Sequence, residues 1–139
     1  MSRVRLTHDP IDAQALAADM HNQDAGAVST FIGTVRADES DGRTISALDY
    51  EAYEEMAQEQ MEVIRKRAGE QFEILDAAIV HRLGKLNVGE ASIAVVVVSA
   101  HRVAAFDACR WIVDAVKTDV PIWKKDIWAD GTSSWVNPT

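Results

Sequence analysis

Two lysines lie on either side of a proline in the segment Lys117-Thr118-Asp119-Val120-Pro121-Ile122-Trp123-Lys124-Lys125. A helical pattern runs up to Lys117, Pro121 cannot continue it, and a strand pattern begins at Ile122. Two ammonium groups are thus set around a sharp change of chain direction. An amine held near another cation, or partly removed from water, binds its proton less tightly and suits the role of nucleophile or general base. Each lysine also has a plain structural reading. Lys117 fits a helix C-terminus, where a cation contributes about 0.3–1 kcal/mol, and Lys124 fits a solvated strand. Period-two alternation groups Lys124 with Ile122 and Asp126, and Lys125 with Trp123 and Ile127, so both faces of that strand carry apolar residues.

Other candidates are anion-binding. His101-Arg102 follows an apolar strand and precedes a helix, and free backbone N–H groups with His and Arg donors suit a phosphate there. An arginine paired with one of the many carboxylates accounts for the same residues equally well. Arg36 ends a β-branched segment just before the polar, Gly-containing loop 38–43, and gains meaning if that loop closes over a ligand. His81-Arg82 ends a strand before a glycine turn, has no helix behind it, and reads as structural. Cys109 shares a helical stripe with Phe106, Val113 and Val116 and reads as a small buried hydrophobe. The four tryptophans read as core and interface packing rather than a platform for bases.

The elements that must position these groups follow from periodicity and punctuation. A strand is expected at Val4–Thr7, then a helix over 11–21 capped by Asp9-Pro10. A strand over 26–36 and another over 45–53 precede a helix over 54–68, closed by Gly69. Strands at 72–83 and 91–99 are joined by a glycine-flanked, hairpin-like connection over 84–90. The run 93–98 has no polar alternation and is expected to be a central strand covered on both faces. A helix over 103–117, a strand over 122–128, a turn at Asp130-Gly131 and the terminal Trp135-Val136 complete the pattern. Frequent hairpins favour an α+β fold with a mixed, mainly antiparallel sheet and flanking helices over a doubly wound one.

The chain has 139 residues, 47% of them hydrophobic, which fits one domain over 1–139 with a real core. Its 22 acidic against 14 basic residues give a formal charge of -8, which argues against sequence-independent nucleic-acid or anionic-membrane binding. One cysteine excludes an intramolecular disulfide and a Cys-rich metal site, and no GxGxxG, P-loop or metal-type His/Cys spacing occurs. No long apolar segment follows the start or occurs later, so a cytoplasmic protein is expected.

Taken in order, five blocks resemble one family. They are Gly26-Ala27 leading to Phe31-Ile32-Gly33-Thr34-Val35-Arg36; Leu48-Asp49-Tyr50-Glu51-Ala52-Tyr53 with Met56-Ala57; His81-Arg82-Leu83-Gly84; Val98-Ser99-Ala100-His101-Arg102 with Ala105-Phe106; and the Lys117 to Lys125 segment. Together they look like the large, catalytic subunit of molybdopterin synthase, from about Gly26 to Trp135. The resemblance implies an α/β-hammerhead type of α+β fold and a homodimer within a heterotetramer. It also implies a small ubiquitin-like sulfur-carrier partner whose C-terminal Gly-Gly thiocarboxylate enters the pocket. Two sulfur transfers would convert cyclic pyranopterin monophosphate into the dithiolene of molybdopterin, with no cofactor or metal required.

By matching motif, Lys117 and Lys124 would be the catalytic pair, while Thr34, Val35 and Arg36 would line the substrate site. His101 and Arg102 would hold the phosphate, reaching across the dimer, and Lys125 and Asp126 would complete the binding edge. The chain stops at Thr139, so a longer basic C-terminal tail of the family is expected to be absent or replaced. Two readings of other classes compete: a non-catalytic module docking a ubiquitin-like tail, and a regulatory domain binding another phosphorylated metabolite.

Overall fold

The computed structural model describes residues 3–136. In chain order the elements are β1 (Val4–Thr7), α1 (Ala13–Asp19), β2 (Ala27–Thr34), β3 (Glu39–Ser40), β4 (Arg43–Ala52), α2 (Glu54–Gln71), β5 (Asp76–Arg82), β6 (Gly84–Asn87), β7 (Ala91–Ser99), α3 (Arg102–Asp119), β8 (Ile122–Trp128) and β9 (Ser133–Val136). The architecture is the expected α+β type, but the strands divide between two sheets. One has the order β1-β5-β7-β2, with β1 parallel to β5 and the other pairs antiparallel. The other runs β3-β4-β8-β9, with β6 on the second edge of β4.

The unbroken apolar run lies in β7, an interior strand, and its two sets of alternating side chains enter two different cores. Ile93, Val95 and Val97 face α2 and α3, packing with Met61, Ile64, Cys109, Ile112 and Val116. Ala94, Val96 and Val98 face α1, packing with Leu16 and Met20. Full burial of a Val or Ile side chain is worth about 1.5–3 kcal/mol, so both helical layers are fixed to this strand. A third cluster, Val35, Ile45, Leu48, Leu86 and Trp128, fills the second sheet. A polar clamp ties β5 to its neighbours: Arg3 and Arg65 each reach the Asp76 carboxylate, at 2.8 and 2.6 Å. Burial pushes the Asp76 carboxyl up, but hydrogen bonds from Arg65, the Ala77 N–H and Arg3 outweigh it and hold the group below its ordinary value.

Five sequence expectations are corrected. The first helix begins at Ala13 because Asp12, not Asp9, caps it by accepting from the Ala15 N–H at 3.0 Å. The second helix runs through Gly69 to Gln71. The loop over 38–43 is a hairpin, β3 pairing with β4 around Asp41 and Gly42, both at positive φ (52° and 73°). The glycine-flanked connection over 84–90 contains β6, which leaves the β5–β7 pair and hydrogen-bonds to β4 in the other sheet. Phe106 also departs from its expected stripe: it is 64% exposed, and Ala105, Ala108, Cys109 and Ile112 make the buried face of α3 instead. Cys109 is buried as expected.

Two glycines should respond oppositely to alanine. A Cβ on Gly26 would collide with the Ala100 carbonyl, whereas Gly69 lies in a helix with open space around it. Gly26→Ala should destabilise by about 1–3 kcal/mol and Gly69→Ala should stabilise by about 0.5–1 kcal/mol. Urea denaturation of the two variants checks both signs.

Candidate active site

A cavity of about 540 Å³ opens where the two sheets meet the C-terminal end of α3. That volume suits a small organic ligand. Lys117 enters from the last turn of α3 and Lys124 from β8. The corner between them is short: the Val120 N–H still bonds the Val116 carbonyl, Ile122 N–H bonds Val120 C=O at 2.8 Å, and Tyr53 N–H bonds Pro121 C=O at 3.3 Å. The proline ends the helix and the three bonds fix the direction in which β8 departs. Both lysines line the same cavity, as their flanking of Pro121 suggested, and both side chains remain largely exposed.

Strand register decides which neighbours join them. Lys124 lies directly across from Tyr50, and Asp126 across from Leu48, so these four share one face of the second sheet. Lys125 is on the opposite face, across from Asp49 and Trp135, with its ammonium 5.0 Å from the Trp135 ring centroid. It therefore does not line the cavity. Asp126 is on the correct face but is absent from the cavity lining, and its Oδ1 is buried without a hydrogen-bond partner among the described residues. Thr34 and Arg36 line the cavity; Arg36 meets Asp38 at 3.4 Å, an exposed ion pair that contributes little. Val35 points away, buried against Leu48 and Trp128.

His101 and Arg102 are elsewhere in the chain. They start α3 while Lys117 lies in its last turn, and fifteen helical steps separate Arg102 from Lys117 by about 22 Å. The helix is a rigid spacer, so one chain cannot bring both ends to one cavity. His101 and Arg102 are exposed beside the exposed Val103 and Phe106.

Sequence reasoning took His81 as structural and gave Tyr50 and Ser92 no role, yet all three line the cavity. His81 ends the apolar run of β5 on the face shared by Ala77 and Ile79, and only 7% of it is exposed. A polar residue closing a buried face was the available signal. Its Nδ1 lies 2.8 Å from the Arg82 carbonyl and its ring meets Tyr50 edge-on at 5.0 Å. Burial, reinforced by the charge of Lys117 and opposed by the Arg82 carbonyl, holds His81 down to about 4. Burial likewise raises the Tyr50 hydroxyl, with a Ser92 hydrogen bond opposing and the Asp126 charge adding. The Cys109 thiol is pushed up by burial, against hydrogen bonds from Ser29 and Phe31, which makes it a poor nucleophile. Among the described residues no group of three or more His, Cys, Asp or Glu could hold a metal ion.

This arrangement coincides with one family in sequence and in shape. The family model described as MoaE protein matches residues 6–119. The chain belongs to the MoaE protein family. It is 47% identical over 132 residues to the molybdopterin synthase catalytic subunit of Thermoplasma volcanium, covering 95% of this chain and 96% of that protein. The corresponding subunit of Bacillus subtilis is 42% identical over 136 residues, 98% of this chain and 85% of its own. The crystal structure of molybdopterin synthase from Staphylococcus aureus superposes with a TM-score of 0.92 at 33% identity, over 99% of this chain and 98% of that one. As in these MoaE relatives, the activity is that of a molybdopterin synthase catalytic subunit, a sulfur-transferring enzyme of molybdenum cofactor biosynthesis. Among the described residues no helix is long and apolar enough to cross a membrane.

The depressed His81 has a defined consequence for stability. The unfolded chain takes up a proton near the ordinary value of 6.5, whereas the folded imidazole resists protonation until about 4. Stability is therefore complete above pH 6.5 and should fall as pH drops toward 4, by up to roughly 3 kcal/mol from this group. His81→Gln should flatten that window while leaving the further loss at lower pH, where carboxylates such as Asp76 titrate. Urea midpoints measured from pH 7.5 to 4 for both proteins check the difference.

Proposed function

We propose that this cavity is where a thiocarboxylate tail meets cyclic pyranopterin monophosphate, and that Lys117 and Lys124 act on the pair. One observation carries the reading: a chain with a net charge of -8 places Arg36, Lys117 and Lys124 around a single cavity, with Asp38 the one carboxylate in its lining among the described residues. Both reactants are anionic, and cations in a partly enclosed site hold and polarise anions far better than cations in bulk water. One lysine assists attack or forms a transient covalent link, and the other balances the negative charge that develops as sulfur leaves the thiocarboxylate. Thr34 and Arg36 hold the substrate at the cavity wall. The sulfur comes from a small ubiquitin-like partner ending in Gly-Gly, which agrees with the buried, unreactive state of Cys109.

The whole chain serves as one catalytic domain, acting in the cytoplasm as a homodimer that carries a sulfur-carrier subunit on each copy. A structure of the Helicobacter pylori molybdopterin-converting factor, a complex of its subunits 1 and 2, shares the fold at a TM-score of 0.80 and 21% identity. In the dimer, His101 and Arg102 of one copy serve the phosphate in the cavity of the other. Exposed apolar residues beside them, Val103 and Phe106, support a contact surface at that end of α3.

The decisive assay mixes the purified chain with thiocarboxylated partner and cyclic pyranopterin monophosphate and measures dithiolene formation. Lys117→Ala and Lys124→Ala should each abolish product while the circular-dichroism spectrum and partner affinity stay close to wild type, because both side chains are exposed. Full activity in either variant would remove that lysine from the mechanism. Tight partner binding with no product from the wild-type chain would point to a docking module instead.

A further inference from the structure

We infer that His81 is a positioning residue for Lys117, accepting a hydrogen bond from its ammonium group through Nε2 and so fixing its direction within the cavity. The inference rests on the proposed role of Lys117 for its consequence in catalysis, though not for its geometry. The Arg82 carbonyl can only accept, so the 2.8 Å contact puts the imidazole proton on Nδ1. In the neutral ring Nε2 then carries the free lone pair; no described residue donates to it in this structure, and the inferred bond forms by rotation of the exposed Lys117 side chain that lines the same cavity. His81 is fixed on three sides: β5 pairs it with Leu6 of β1 and Ile93 of β7, and Tyr50 packs edge-on against its ring. Its remaining surface lines the cavity.

The charged groups around that cavity select the donor. Arg36 is paired with Asp38, while Lys117 and Lys124 form no ion pair among the described residues. Of these, Lys117 is the one whose charge acts on His81. Burial keeps His81 neutral, and neutrality is what the task requires. A carboxylate in its place would orient Lys117 but cancel the charge that anionic reactants need. A neutral acceptor directs an ammonium hydrogen atom and leaves its full charge available.

Two measurements test this, one of them independent of turnover. In ¹⁵N-histidine spectra at pH 7, His81 should show the neutral Nδ1–H tautomer, and its Nε2 resonance should move in Lys117→Ala while Nδ1 stays in place. An Nε2 signal unchanged by loss of Lys117 overturns the inference whatever the enzyme assay gives. Side-chain amides then separate the two ring nitrogens. Gln places its polar terminus near the position of Nε2 and Asn near that of Nδ1, so His81→Gln should keep most of kcat. His81→Asn should lose kcat on the order of tenfold to a hundredfold with little change in KM. If Asn rescues as well as Gln, His81 merely locks the Arg82 backbone and the inference fails. Absence of product from wild type in the same assay would instead count against the proposed reaction, leaving the spectroscopic result to stand.

Discussion

The two-sided burial of β7 is the constraint on which the rest depends. Its alternating residues must be covered by helices on both faces, so α3 has one way to lie: Cys109, Ile112 and Val116 down against Val95 and its neighbours. With that stripe fixed, the last turn of α3 must end over the edge where Ile93 meets His81 and the second sheet begins. The backbone at Lys117 is placed by packing of the helix, not by its charged side chain. Removal of its charge therefore leaves the scaffold intact, whereas removal of a methylene two turns away disturbs both.

The second sheet supplies the opposing wall through register. Tyr50 and Lys124 face each other across β4 and β8, while Gly84 pairs with Tyr50 from the β6 side. A slip of one residue in the β4–β8 pair would exchange Lys124 for Lys125, turning one cation out toward Trp135 and another in. Register is guarded by the cluster of Ile45, Leu48, Leu86 and Trp128, which must stay on the inner face. The corner at Pro121 couples the two halves, because the helix that obeys β7 and the strand that obeys β4 are joined there by a few residues with their own hydrogen bonds.

Local signals made some of this legible in the sequence. β1, β7, α3 and β8 are set by unbroken apolar runs, helical stripes and the proline stop, and each is where its pattern puts it. What was not legible depended on tertiary pairing. β6 looks like the arm of a hairpin because glycines flank it, and only β4 decides that it leaves the first sheet. Asp9-Pro10 reads as the helix start, but Asp12 caps the helix whose Leu16 is buried together with Met20 against β7. Lys124 and Lys125 were separable by alternation, but which face looks into the cavity required the partner strands. His81 stands in a block that reads as structural, and it shares a cavity with Lys117 only because β5 and the end of α3 both border that cavity.

The length of α3 bears on what a single chain can do. Basic residues mark its ends, His101-Arg102 at the start and Lys117 at the finish, and a helix of 18 residues holds them apart. No side-chain rotation closes a gap of about 22 Å, and bending the helix would pull Ile112 out of the core. The first group either serves a cavity belonging to another copy or plays no part in the chemistry. Its surroundings favour the former, since Val103 and Phe106 leave apolar surface in water beside two donors that have no ion-pair partner among the described residues. In the proposed dimer the site is complete only between chains, and the rigidity that positions Lys117 within one copy is the same rigidity that carries Arg102 away from that copy's cavity.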